Sequence, residues 1–212
     1  MRIAVLNEVS ACSRNIDILN ALRGFDCEVF NLGMTCAEEH PQLTYIHTGL
    51  MAAMLLNLGA ADFVIGGCGT GQGFLISAMQ YPGVFCGLIS EPSDAYLFSL
   101  INDGNCISLP LLKGYGWAGE LNLKFVFEKL FDGERGSGYP KSRSESQKAS
   151  RKLLAQVSKA SHKEIIGILK DIPADVVSTI AKSKKFVDFI EKYAEDNVLK
   201  AEILNLFNEV QK

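Results

Sequence analysis

Apolar residues recur along this chain in two rhythms. Short continuous runs at Arg2–Leu6 (RIAVL), Cys27–Leu32 (CEVFNL), Phe63–Ile65 (FVI), Val84–Ile89 (VFCGLI) and Asn105–Leu109 (NCISL) mark strands buried on both faces. Between them, apolar positions fall at helical spacing. Ile16, Ile18, Leu19 and Leu22 lead to Gly24, and a longer apolar helix spans about Thr48 to Leu58. Phe74, Leu75, Ile76 and Ala78 stop before Pro82. Ser90 and Pro92 open a helix with Leu97, Phe98, Leu100 and Ile101 as its inner face, and Leu121–Phe131 is the last of the series. Strands alternating with helices in this way predict an α/β fold, a doubly wound five-stranded parallel sheet with right-handed crossovers.

From Asp132 to Ser150 the pattern breaks into glycines, serines and Pro140, the composition of a linker or an ordered loop. Beyond it only helical periodicity remains, so the chain divides into a sheet domain over residues 1–143 and an all-helical extension over 144–212. The stripes Ile165, Ile166, Ile168, Leu169 and Phe186, Phe189, Ile190, Tyr193 and Ile203, Leu204, Phe207, Val210 each predict one apolar face. Ser161 with Glu164 fits a capping box, and Pro173 fits a helix start. The extension is expected to pack on itself, on the sheet domain or on a second subunit.

Composition narrows the class. A chain of 212 residues with 48% hydrophobic and 21% charged residues can bury a sizeable core. Its net charge of −3 gives no broad attraction to nucleic acid, and no apolar run approaches a membrane span. The first strand begins at once, with no leader pattern ahead of it, which predicts a cytoplasmic protein with reduced thiols. Neither the six cysteines nor His40, His47 and His162 stand at metal-ligand spacing, so no metal or other cofactor is expected.

The chemistry concentrates in Ala61–Pro82, ADFVIGGCGTGQGFLISAMQYP. Cys68 stands at the carboxyl end of a central strand, in a glycine loop feeding a helix, where open α/β sheets bind ligands. Glycines 66, 67, 69, 71 and 73 are read as turn formers that also leave amides free to approach a ligand. A helix start favours anions and a lowered thiol pKa. The loop fits GxGxxG in no register and lacks GxxxxGK[ST], which argues against dinucleotide and P-loop sites.

Cys68-Gly69-Thr70-Gly71 with Gly73, followed by Pro82-Gly83, Asn102-Asp103-Gly104-Asn105 and Phe131-Asp132-Gly133-Glu134-Arg135, resembles the ribose-5-phosphate isomerase B family, which includes galactose-6-phosphate isomerase subunits. The resemblance covers about residues 1–140. It implies a Rossmann-like fold and a metal-free aldose–ketose isomerase acting on a sugar phosphate through a cis-enediol. Cys68 would move the proton between C1 and C2, and Thr70 with the amides of Gly69, Gly71 and Gly73 would hold the enediolate oxygen. Asn102 and Tyr45 match substrate contacts. Arg135 matches a phosphate arginine supplied by the neighbouring subunit, which implies a homodimer or homotetramer with a shared site.

The departures carry information too. Ile101 stands where the family has its ring-opening histidine, Glu8-Val9-Ser10-Ala11 replaces DHAG, and Tyr139 replaces the second phosphate arginine. Isoleucine cannot transfer a proton. Either another group opens the ring, with His47 the nearest candidate, or the substrate is acyclic, as a tetrose 4-phosphate is. Glu8 is a candidate second acid–base or hydroxyl-binding group, and Arg14 and Lys113 are candidate replacements for the missing phosphate contacts. Ile101 also reads as plain core, and Asn102 and Asp103 as turn caps. Two rival functions stay open: a non-catalytic sugar-phosphate sensor or inactive subunit of a hetero-oligomer, and a flavodoxin-like mononucleotide binder.

Overall fold

A computed structural model describes residues 1–211. Five parallel strands, β1 (Arg2–Asn7), β2 (Glu28–Asn31), β3 (Phe63–Cys68), β4 (Cys86–Leu88) and β5 (Cys106–Pro110), form one sheet in the order β2-β1-β3-β5-β4. The expected Rossmann-like, doubly wound sheet is present. The chain reverses its direction across the sheet between β1 and β3, where the carboxyl ends of the strands open a crevice.

Helices cover both faces. One layer holds α1 (Asn15–Ala21), α4 (Pro92–Leu97) and α5 (Gly119–Phe131), packed on Ile3, Val5, Phe63, Ile65 and Ile107. The other holds α2 (Tyr45–Asn57) and α3 (Gln72–Ala78), packed on Ala4, Leu6, Val64 and Cys106. Alternate strand residues therefore face alternate layers.

Four local expectations are corrected. Gly66 and Gly67 are strand residues, because β3 continues to Cys68. Leu97 is exposed at 39%, because a π-helical turn over Phe98–Asn102 follows α4 and rotates the apolar face. Helix α6 (Ser144–Ser161) begins inside the predicted linker. Ser161 closes α6 and donates back to Ser158 O at 3.4 Å, so it caps nothing downstream, and Glu164 makes no side-chain cap.

The extension splits in two. Helices α7 (Ile165–Asp171), α8 (Ala174–Ala181), α9 (Lys184–Tyr193) and α10 (Val198–Val210) share a core with α2, through Ile165, Val177, Ile180, Phe186 and Phe207. The ring of Phe30 on β2 meets Phe189 at 4.7 Å and Tyr193 at 4.8 Å. Helix α6 buries no residue at all; its Arg151 donates to Ile101 O and Gly136 O, both at 2.8 Å. Among the described residues no helix is long and apolar enough to cross a membrane.

Candidate active site

The end of β3 is built by exclusion of side chains. A Cβ on Gly66 would lie 2.1 Å from Phe74 Cζ, and one on Gly67 would lie 2.5 Å from Leu109 O. These two glycines let α3 and β5 approach the strand. Gly71 performs the turn, with φ of 75° immediately before α3.

The loop's carbonyls are tied down. Cys68 O accepts from Leu111 N at 3.0 Å and Gly71 N at 3.3 Å, and Gly69 O accepts from Leu112 N at 3.0 Å and Lys113 N at 2.8 Å. The Ser108 hydroxyl donates to Gly71 O at 2.5 Å. With the carbonyls engaged, the amides of Gly69, Thr70 and Gly73 find no acceptor among the described residues. They form a set of donors beside Cys68, whose Sγ lies 4.0 Å from Thr70 Oγ1.

The neighbouring strand completes the wall. Asn7 pairs with Gly67 in the β1–β3 register, and Glu8 keeps an extended backbone (φ −96°, ψ 175°). Glu8 therefore falls beside Cys68, about 4.8 Å away along the hydrogen-bonding direction, on the face that carries α2 and α3. Its carboxylate accepts from Ser10 N at 3.1 Å and from the Ser10 hydroxyl. In the sequence Ser10 stands out only as part of the segment replacing DHAG; a polar residue two past the strand-end acid is the available signal.

Tyr45, at the start of α2, lays its ring across Gly73, where a Cβ would meet ring carbons at 3.0 Å. His47 lies two positions on, about 200° around the helix, so it turns away from Gly73. Its Nδ1 accepts the Thr44 amide at 3.0 Å, and burial holds its pKa below the usual value, partly countered by Asp175 of α8. The structure does not bring His47 to Cys68; it caps α2.

A cleft of about 260 Å³ adjoins Thr70 and is lined by Gln72, Ser90, Lys113, Tyr115 and Asn122, but not by Cys68. Lys113 thus stands close to the loop, at its other side. Arg14 is engaged elsewhere: it pairs with Asp17 at 3.5 Å and lies 4.3 Å over the Tyr115 ring. The Tyr115 hydroxyl donates to Asp17 at 2.7 Å; burial, then this carboxylate, pushes its pKa upward.

Asn102 and Arg135 lie toward the opposite, amino-terminal end of the strands. Arg135 pairs with Asp103 at 3.2 Å, donates to Gly104 O and sits 4.8 Å over the Phe63 ring. Phe63 opens β3 and Cys68 closes it, so the two ends are about 16 Å apart at strand rise. Asn102 instead lines a groove of about 520 Å³ between the π-helical turn and α6, with Ile101, Asp103, Arg143, Gln147 and Leu154. Within one chain, Cys68, Thr70, Glu8, Tyr45, Gly69, Gly71 and Gly73 come together; Asn102 and Arg135 do not join them.

A thiol, unengaged loop amides and a carboxylate stand together at the switch point of a 2-1-3-5-4 sheet, the place where open α/β folds bind their ligands. Residues 3–136 match the ribose/galactose isomerase family, and the chain belongs to that family. It is an isomerase of the aldose–ketose class. The crystal structure of a ribose-5-phosphate isomerase from Vibrio parahaemolyticus is 43% identical, covers 99% of each chain and superposes with a TM-score of 0.92. That of a 4-deoxy-L-threo-5-hexosulose-uronate ketol-isomerase complexed with a tartrate is 40% identical and covers 100% of this chain and 99% of that one, with a TM-score of 0.93. A ribose 5-phosphate isomerase from Thermotoga maritima, 24% identical with a TM-score of 0.56, shares the fold over 69% of this chain and 96% of its own. Comparison with curated proteins gives no match.

Proposed function

We propose that this protein interconverts an open-chain aldose and ketose bearing a terminal anionic group, through a cis-enediol. Cys68 is the base that moves the proton between C1 and C2. The observation that carries the reading is Cys68, 6% exposed, beside three backbone amides with no intrachain acceptor. Such donors, aimed where an enediolate oxygen develops, act strongly in a site with little water. Thr70, 4.0 Å from the sulfur, supports the same oxygen.

The absence of a ring-opening group favours an acyclic substrate. Ile101 is apolar, and His47 caps its own helix. A tetrose 4-phosphate meets the requirement, because its phosphorylated oxygen cannot close a furanose ring. A uronate is the second reading. It is favoured by the similarity over the whole chain to a hexosulose-uronate ketol-isomerase, and by the engagement of Arg135 with Asp103, Gly104 and Phe63. Lys113, whose amide bonds Gly69 O and which lines the cleft beside Thr70, is the anion ligand in either case.

The site is completed by a second copy. Tyr45, Ile46, Ile76, Met79, Leu153 and Leu154 are all exposed by 42% or more. Tyr45 lies by Gly73 of the Cys68 loop, while Met79 and Leu154 line the Asn102 groove. A two-fold pairing of this apolar strip would bring the Cys68 end of one copy to the Asn102 end of the other, in a homodimer or a homotetramer of such pairs.

The test incubates the protein in D₂O with four-, five- and six-carbon aldose and ketose phosphates and with an open-chain hexosulose uronate. Deuterium at the carbon next to the carbonyl, with the isomer appearing, is the expected result. Cys68→Ser should abolish both while leaving the melting temperature unchanged. Ligand binding without exchange would replace the reading with a sugar-phosphate sensor.

A further inference from the structure

Glu8 is a carboxylate 3% exposed, yet no Lys, Arg or His pairs with it among the described residues. Its donors are the amide and hydroxyl of Ser10. Burial of an unpaired carboxylate is costly, and the structure gives it no escape. Behind it, Asn7 donates to Ala11 O at 3.1 Å, and Asn15 bridges Asn7 at 3.0 Å and Asn31 at 2.9 Å. This asparagine network fixes the turn Val9–Arg14 and holds Glu8 at the end of β1. Ser10 is exposed, and its Oγ lies 3.6 Å from where a Gly69 Cβ would stand. The serine hydroxyl thus faces the catalytic loop while its other side meets a buried carboxylate.

We propose that Ser10 and Glu8 form the oxygen-to-oxygen proton shuttle of the isomerisation, with Ser10 touching substrate and Glu8 acting through it. The proposal rests on the reading of Cys68 as carbon base and supplies the step that Cys68 cannot perform. Starting from the ketose, the Cys68 thiolate takes a proton from C1. The C1–H electron pair becomes the C1=C2 bond, and the carbonyl pair moves to O2. Return of the proton to C1 only regenerates the ketose. To reach the aldose, the O1 hydroxyl proton must move to O2. In one relay O1–H gives its proton to Ser10 Oγ as Ser10 passes its own to Glu8. Glu8 then returns a proton to Oγ, and Oγ delivers one to O2. The O1 electron pair closes the C1 carbonyl, and the C1=C2 pair takes the Cys68 proton at C2. Ser10, Glu8 and Cys68 end as they began.

The experiment separates carbon exchange from isomerisation. Wild type, Cys68→Ala, Glu8→Gln and Ser10→Ala are each incubated in D₂O with erythrulose 4-phosphate, ribulose 5-phosphate and the open-chain uronate. Deuterium at C1 of recovered ketose and aldose formation are followed together by NMR. Glu8→Gln is isosteric and still accepts the Ser10 amide, and Ser10→Ala changes an exposed position, so one of the two retains the fold in any case. Both should lose aldose formation by about 10²- to 10⁴-fold while C1 exchange stays within about threefold of wild type. Equal loss of exchange and isomerisation, or aldose formation near the wild-type rate, would overturn the shuttle. Exchange retained by Cys68→Ala would instead overturn the assignment of the carbon base, so the two failures are distinguishable.

Discussion

Gly66→Ala tests why a glycine lies inside β3. The added methyl would lie 2.1 Å from Phe74 Cζ and 2.4 Å from both Cε atoms. Carbon contacts settle near 3.5–4.0 Å, so the ring must withdraw by about 1.5 Å. Phe74 is fully buried and has no free volume to enter. Overpacking of this kind costs about 1–3 kcal/mol, offset by about 0.5–1 kcal/mol from replacing a strand glycine, for a net loss of about 1 kcal/mol at mid-range and up to about 2.5 kcal/mol. For a chain of this size that lowers the melting temperature by about 2–10 °C. Phe74 also sits in the first turn of α3, next to Gly73 and the ring of Tyr45, so turnover should fall with stability. The assay is thermal unfolding of Gly66→Ala, Phe74→Leu and the double variant. The smaller leucine should relieve the clash, with a coupling of at least about 0.5 kcal/mol. A melting temperature unchanged or raised in Gly66→Ala, or strictly additive effects, would refute the packing argument.

Three further outcomes follow from the geometry. Because burial lowers the folded pKa of His47, the unfolded chain binds more protons below about pH 6.5, and stability should decline as pH falls through that range. His47→Gln keeps an acceptor for the Thr44 amide and should flatten the slope between urea titrations at pH 7.5 and 5.5. Burial raises the Glu39 pKa, but Lys185 and the Thr35 amide outweigh it and hold it low. Its contribution is present above the ordinary carboxylate range and lost as pH falls through the lowered value. Lys185→Met, which cuts this link from α9 to the sheet domain, should cost about 0.5–1 kcal/mol at neutral pH and weaken that acid dependence in urea titrations. Tyr115→Phe removes the bond to Asp17 and should cost about 0.5–1.5 kcal/mol in denaturant unfolding, with the Arg14–Asp17 pair kept.

The strands and the site loop were legible because their signals are local. Apolar runs such as Phe63–Ile65 need no partner to declare a doubly buried strand, and Gly71 before α3 marks a turn by its own backbone freedom. Cys68 was legible for the same reason: its strand-end position follows from the order of elements along the chain. What only the tertiary structure decided depends on distance across the sheet. Gly66 and Gly67 read as loop residues because nothing local shows that the ring of Phe74 and the carbonyl of Leu109 come to lie against them. Glu8 and Cys68, sixty residues apart, become neighbours only through the register of β1 on β3. Asn102 and Arg135 part from Cys68 because they gather near the amino-terminal end of the strands, while Cys68 closes β3 at the carboxyl end. The stripes of α7, α9 and α10 each announced an apolar face, while the tertiary structure decided which of the open partners they met: α8 packs on α2, and α9 meets Phe30 of β2.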